Sequence, residues 1–364
     1  GTGILDLAEL FKRRSSMDYK SEDACLAAEL FFQRLQDLPP DGAVDRDLRV
    51  IYWKDGKDLQ DKLLARIIAD MQEDTGKELV TDRPWELWNA AWSNGGTSRN
   101  PLYQQVISPY RNEEYGTNIL NEMLQHATQE RNLQRIGALG GITLYDKVIQ
   151  FRNRGKSDPI YAYDCTQSKN VKAYIFNGEL GFVGVHGYDA GKTNNYRFRL
   201  KRFVVRFSRK ENLSVGYGEI DKVKGIVEKP EDNLELAYAI SVHKAQGSEF
   251  GHVYFILPKK VALLSPELLY TGMTRATKHS TVFIEGDISP LLKMYRPESS
   301  HLESINSSLF SLHIVPDELA ALRIEGFLEE YRIHRSLANI MVRSKSEVII
   351  DRKSTRLNSS HESP

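Results

Sequence analysis

Cysteine is almost missing from this chain: two residues in 364, Cys25 and Cys165. Two thiols exclude a disulfide framework and a cysteine-rich zinc site, and such usage fits a reducing compartment, so a cytoplasmic location is expected. An excess of one charge sign is missing too, since 49 Lys and Arg balance 49 Asp and Glu. With no global basic field, any nucleic-acid site has to be local. No apolar run approaches the roughly 20 residues of a membrane span, which excludes a membrane partner of the helical kind. The opening GTGILDLAELFKRR lacks the basic start and apolar core of a secretory signal. It also lacks an initiating Met and enters an amphipathic helix at once, over 4–12, so the chain reads as cut from a longer one. At the far end 351–361 reads DRKSTRLNSSH, which resembles the frame translation of a sequencing-library adaptor. Residues 351–364 are therefore set apart from the fold as an artefactual tail, expected to be disordered.

What is present is ordinary globular chemistry, 41% hydrophobic and 27% charged, in a chain long enough for two to three domains. Helix over 22–35, with Leu26, Leu30 and Phe31 on one face, strand over 50–53 and helix over 58–71 alternate as in an α/β layer domain. Pro84 opens a short helix whose Trp85, Trp88 and Trp92 share a face; indoles there can stack on bases but are expected in the core. A strand over 105–108, a turn at Pro109 and Gly116 and a helix from Thr117 carrying Ile119, Leu120 and Leu124 follow. From Ile142 the period changes to two, and turns at Asn177-Gly178 and Gly181 indicate a small antiparallel barrel. Residues 192–210 hold eight basic residues and no acidic one. Arg197, Arg199 and Lys201 alternate there with Tyr196, Phe198 and Leu200. Such a face can hold a phosphate backbone, with salt-sensitive binding, or can protect an edge strand from aggregation. GYDAGKT over 187–193 is no phosphate loop, because His186 stands where the pattern needs Gly. No apolar strand ends in an Asp-Glu pair.

The stretch around which the rest is organised is 237–278. Two apolar strand runs flank the polar loop SVHKAQGSEF, and Ser265 and Pro266 then supply the N-cap and first residue of a helix running towards Thr274-Arg275-Ala276. Taken alone, Arg275 could cap a helix C-terminus and His243 could be a solvated loop histidine.

SVHKAQGSEF resembles motif V of superfamily 1 helicases, and LLYTGMTRATK resembles their motif VI, in the RecD-like and UvrD-like enzymes above all. The resemblance implies an α/β fold: the second RecA-like domain, interrupted by a small antiparallel β-barrel and followed by a helical segment. It divides the chain into 1–135 and 231–297 for the RecA-like domain, 136–230 for the insertion, and 298–350 for a linker and the start of a further domain. It implies Arg275 as the arginine finger on the γ-phosphate of ATP, where guanidinium meets developing charge. Gln246, Gly247 and Glu249 would lie near the nucleotide, and Ser241 and His243 would face single-stranded nucleic acid. QQVISPYRNEEYGTNILNEMLQ resembles the strand, loop and helix that precede the insertion in RecD-like helicases, making Ser108 and Arg111 candidates for phosphate contacts, against the plain alternative of a surface Arg in a turn. Asn177-Gly178-Glu179 is similar to a turn of that insertion. RSKSEVII over 343–350 resembles the entry helix of PD-(D/E)xK nucleases, with Glu347 towards a metal site, or else a surface Glu.

The expected function is the C-terminal part of an ATP-dependent DNA helicase, of a repair kind, that translocates on single-stranded DNA or at a duplex junction. ATP and Mg²⁺ would be held mainly by an upstream domain, and no metal by these residues, so this piece alone would not hydrolyse ATP. The alternatives are a catalytically empty nucleic-acid-binding RecA-like module and the middle of a helicase-nuclease. The sequence carries no signal for an oligomeric state.

Overall fold

Long β-branched and aromatic runs such as FGHVYFIL and ATKHSTVFIE can be buried on both faces only if helices cover both sides of their sheet, and that is how the chain folds. The computed structural model describes residues 3–11, 22–39, 41–93, 99–185, 191–192, 198–218, 228–260, 264–296, 334–335 and 341–342. It has two units, Gly1–His301 and Leu302–Pro364.

In chain order the first unit contains α1 (Gly3–Phe11), α2 (Glu22–Gln36), β1 (Leu48–Trp53), α3 (Gly56–Thr75), α4 (Pro84–Ser93), β2 (Gln104–Ile107) and α5 (Thr117–Ile136). Next come β3 (Lys147–Gln150), β4 (Ile160–Asp164), β5 (Lys169–Ala173), β6 (Leu180–Gly184), β7 (Gly191–Lys192), β8 (Phe198–Arg199), β9 (Arg202–Phe207), β10 (Lys210–Gly218) and β11 (Leu234–Leu236). Last are β12 (Ala239–Ile240), α6 (Val242–Ala245), β13 (Phe250–Leu257), α7 (Pro266–Met273), β14 (Ala276–Glu285) and α8 (Ser289–Tyr295). In the second unit β15 (His334–Arg335) pairs antiparallel with β16 (Met341–Val342).

The first sheet is parallel throughout, in the order β1-β14-β13-β2-β12. Successive residues of β13 point to opposite faces. Val253, Phe255 and Leu257 join a core with α1, α2, α7 and α8, whereas Tyr254 and Ile256 join one with α3, α4 and α5. Strand β14 lies between β13 and β1.

Packing corrects the predicted face of α2. In α2 it is Ala28, Phe32 and Leu35 that are buried, while Leu26 and Leu30 are each 57% exposed. The sequence offers two apolar stripes, and the one used places Phe32 edge-on to Tyr295 of α8, with centroids 5.4 Å apart. In α5, Leu120 and Leu124 are buried, but Ile119 is turned outward. Trp88 and Trp92 are in the core, and half-buried Trp85 lies under the Arg131 guanidinium at 4.8 Å.

Between β2 and β12 the chain builds a second, antiparallel sheet of seven strands in the order β11-β3-β6-β9-β10-β4-β5, with β11 and β5 at its ends. One face encloses a core of its own, with Val148, Ala162, Val183, Val205 and Val215. At β3 and β6 the other face carries Ile149, Leu180 and Phe182, which enter the cores of the parallel sheet. A buried polar pillar fastens the two sheets: Lys147 Nζ donates to Gln104 O (2.6 Å) and Gln105 Oε1 (2.9 Å), and Gln105 Nε2 donates to the carbonyls of Ala237 and Tyr238 (3.0 Å each). Burial lowers the Lys147 ammonium to about 7.

Helix α7 meets β13 at Gly272, where a Cβ would press into the Phe255 ring, 2.7 Å from Cδ2. Gly272→Ala is therefore expected to cost about 1–3 kcal/mol, as overpacking does. Chemical denaturation of the variant would show it, and a loss below a few tenths of a kcal/mol would mean that α7 shifts freely on the sheet.

Candidate nucleotide and nucleic-acid faces

Strand register separates two groups of candidate residues. Ile240 and Phe255 both align with Ile107, on its two sides, so Ser241 leaves the sheet at the level of Ile256. The chain passes through α6, where Ser241 Oγ accepts the Lys244 N–H at 3.4 Å, and re-enters the sheet at Phe250. Phe250 N donates to Arg275 O at 2.8 Å, which puts Gly247–Glu249 and Arg275 together at the edge where β13 and β14 begin. The strand rise puts that edge about 20 Å from Ser241. Gly247 has φ +79°, and a Cβ there would meet nothing within 4 Å, so it is backbone conformation, not space, that calls for glycine.

Helix α7 sets the direction of Arg275. Ser265 Oγ accepts the Leu268 N–H at 3.2 Å and Pro266 opens the helix. At the other end Thr274 Oγ1 donates to Tyr270 O (2.8 Å) and Arg275 Nε to Thr271 O (3.1 Å). That bond anchors the half-buried guanidinium at Nε, and its terminal nitrogens form no hydrogen bond among the described residues.

Arg275, Gly247, Ser248 and Glu249 line a cavity of about 600 Å³, together with Lys278, Arg209 and Glu179. Arg209 comes from the turn between β9 and β10 of the antiparallel sheet, and its Nη2 donates to Gly247 O at 3.3 Å. Glu179 is buried and held through both oxygens by Lys210 Nζ, at 2.6 Å each. Gln246 is exposed and is not part of this lining.

At the opposite edge Ser241 is half-buried and His243 exposed. Ser108 lies at the end of β2, beside Ser241, but cannot touch a phosphate in this conformation. It has no exposed surface, and its Oγ donates to Tyr115 O at 2.8 Å, bracing the turn that carries exposed Arg111. The phosphate contact expected of Ser108 is thus replaced by an internal one. Strand β8 pairs with β7, apart from the seven-stranded sheet, and from it onward Arg199 is exposed, Leu200 buried and Lys201 half-buried. Arg197, Glu347 and 351–364 lie outside the described residues, as does most of 187–193.

Sequence reasoning missed the support behind Lys278. Asp74, at the end of α3, accepts from Tyr103 OH (3.0 Å), is 2.8 Å from His252 Nε2 and 3.9 Å from Lys278 Nζ. His252 is buried, its Nδ1 has no partner among the described residues, and its ring stacks on His279 with centroids 5.2 Å apart. Positions 74 and 252 are too far apart in sequence for any motif to join them. Burial pushes the Asp74 carboxyl up, but the hydrogen bond and charge of His252, then Tyr103 and Lys278, outweigh it and hold the carboxyl below its ordinary 3.8. A depressed carboxylate stabilises the fold above its ordinary pKa, and that contribution is lost as pH falls through the lower folded value. Asp74→Asn is expected to cost about 1.5–3 kcal/mol at pH 7 and to flatten acid unfolding below pH 4. Urea titrations of both proteins from pH 3 to 7 would test this, and equal acid limbs would refute it.

Among the described residues no group of three or more His, Cys, Asp and Glu side chains is placed to hold a metal, and no helix is long and apolar enough to cross a membrane.

Residues 236–283 match the family model of the UvrD-like helicase C-terminal domain, and they contain the loop, α7 and most of β14. In that stretch the chain is similar to the C-terminal domain of UvrD-like superfamily 1 helicases, and its named curated relatives are RecD-like helicases. Over 190 residues it is 27% identical to the RecBCD enzyme subunit RecD of Buchnera aphidicola subsp. Schizaphis graminum, covering 50% of this chain and 25% of that protein. It is 29% identical over 219 residues to the uncharacterized protein MJ1519 of Methanocaldococcus jannaschii, covering 56% of this chain and 17% of that protein. A shorter match, 51% over 45 residues, joins it to the ATP-dependent RecD2 DNA helicase of Deinococcus radiodurans, covering 12% of this chain and 6% of that one. The chain thus spans a quarter or less of the length of these relatives. A Bacteroides Pif1 helicase solved with ADP-AlF3 and single-stranded DNA is 14% identical, with a TM-score of 0.29 over 72% of this chain and 54% of that one, too loose a likeness to carry any argument.

Proposed function

We propose that this chain is the part of an ATP-dependent DNA helicase that supplies the arginine finger and one wall of the translocation track. The observation that carries the reading is the register of β12 and β13, which puts Gly247, Glu249 and Arg275 at one edge of the parallel sheet and Ser241, His243 and Arg111 at or near the other. Nucleotide at the first edge and single-stranded DNA at the second would be linked by α6 and the loop that joins them. Closing a cleft on ATP would then move the DNA-facing residues.

The cavity fits a phosphate chain, having guanidinium and ammonium groups and an exposed glycine backbone. ATP bound there would supply the phosphoryl group, while Arg275 would hold charge that develops on its oxygens. Magnesium does not fit the described residues, which offer it no carboxylate set. Its ligands, and the phosphate loop, belong in this reading to a preceding domain of the whole protein.

The test is ATP hydrolysis with Mg²⁺ and single-stranded DNA, by this chain and by the full-length protein. DNA-stimulated turnover is expected in the full-length protein and none in the chain alone. Turnover by the chain alone would contradict the division of labour, and DNA binding without turnover in the full-length protein would leave a binding module.

A further inference from the structure

The cavity beside Arg275 is built by two sheets, not one. Arg209 lies at the tip of the β9–β10 turn, in the antiparallel sheet, and reaches the loop between α6 and β13. Its hydrogen bond to Gly247 O, at 3.3 Å, is long and goes to a neutral acceptor, and its other donors make no hydrogen bond among the described residues. The next residue, Lys210, turns away and neutralises Glu179, so the buried carboxylate in the wall no longer repels an anion. Arg209, Arg275 and Lys278 thus present three cations from two chain segments to one space of about 600 Å³. A planar guanidinium at the rim, with donors to spare, matches an oxyanion better than a single peptide carbonyl.

We propose that Arg209 is a phosphate-contacting residue, contributed to the nucleotide cavity by the antiparallel sheet, with a polyphosphate chain as its ligand. The proposal rests on the nucleotide reading of the cavity. Binding transfers the guanidinium from Gly247 O to phosphate oxygen, so occupancy of the cavity is felt by the antiparallel sheet as well as by the parallel one.

The test is calorimetric titration of the chain with tripolyphosphate at low salt, for the wild type and for Arg209→Gln, Arg209→Lys and Arg275→Gln, with thermal melts to confirm folding. Arg209→Gln is expected to weaken binding about tenfold, as loss of one charge-assisted contact does, and Arg209→Lys to keep most of the affinity. If Arg209→Gln binds as the wild type does while Arg275→Gln is weakened, the nucleotide reading stands and Arg209 has no part in it. If Arg209→Lys is as weak as Arg209→Gln, Arg209 serves as a bolt to Gly247 and the phosphate contact is refuted. If the wild type does not bind, or Arg275→Gln binds equally well, the nucleotide reading of the cavity and the proposal built on it fall together.

Discussion

Replacing Arg275 with alanine in the full-length protein is expected to lower DNA-stimulated ATP turnover by about 10³-fold or more, which is about 4 kcal/mol of barrier, and to leave affinity for single-stranded DNA nearly unchanged. The size follows from what an arginine finger supplies to phosphoryl transfer: fixed donors and a permanent charge at oxygens whose charge grows in the transition state. The geometry suits that role because the guanidinium is anchored at Nε to Thr271 O and half-exposed towards a cavity that Gly247 and Glu249 also line. DNA affinity is expected to be spared because Ser241 and His243, the residues proposed to face DNA, lie at the opposite edge of the sheet. Arg275→Lys keeps a charge but loses the planar fork, so most of the loss is expected to remain. Steady-state turnover and fluorescence anisotropy with labelled single-stranded DNA would decide it. Turnover within about threefold of the wild type would remove Arg275 from the chemistry, whereas parallel losses of turnover and DNA affinity would point to a damaged fold.

The loop from Ser241 to Phe250 and the helix behind Ser265 were legible because each is specified locally. A polar break between apolar runs, a serine cap and an N1 proline need no distant partner. The change of period at Ile142 likewise announced a sheet of another kind. Contacts made across sheets were not legible. Nothing near Ser108 tells whether its hydroxyl faces solvent or Tyr115 O, and nothing near Leu30 tells which stripe of α2 meets α8. Arg209 is the clearest case, since its place beside Gly247 depends on the docking of one sheet on the other. The error of helix face arose in α2, where two apolar stripes competed and only tertiary packing could choose.

Asp146 is where the same docking should be most costly to disturb. The residue precedes β3 and has no exposed surface. Its Oδ2 accepts from Gln125 Nε2 at 2.5 Å and Thr143 N at 2.7 Å, and its Oδ1 accepts from Tyr238 OH at 2.8 Å. It thus gathers α5, the approach to the antiparallel sheet and the return to the parallel one around one carboxyl. Asp146→Ala orphans three buried donors and is expected to cost about 3–5 kcal/mol, a large part of a domain's stability. Burial raises this carboxyl to about 7, outweighing the bonds from Thr143, Gln125 and Tyr238 that favour its charged form. Because the folded state holds the proton more tightly than the unfolded chain, the contribution is complete below the ordinary 3.8 and is lost as pH rises through about 7. A shift of about three units corresponds to about 4 kcal/mol between those limits. Neighbouring Lys147, lowered to about 7 by burial, acts in the other window, since its contribution is present above the ordinary 10.5 and lost as pH falls through about 7. Asp146→Asn should therefore remove a loss of stability between pH 4 and 7 and leave the rise above pH 7 in place. Urea unfolding of the wild type and Asp146→Asn at unit steps from pH 5 to 9 separates the two limbs, and parallel curves below pH 7 would show that Asp146 stays ionised in the folded protein.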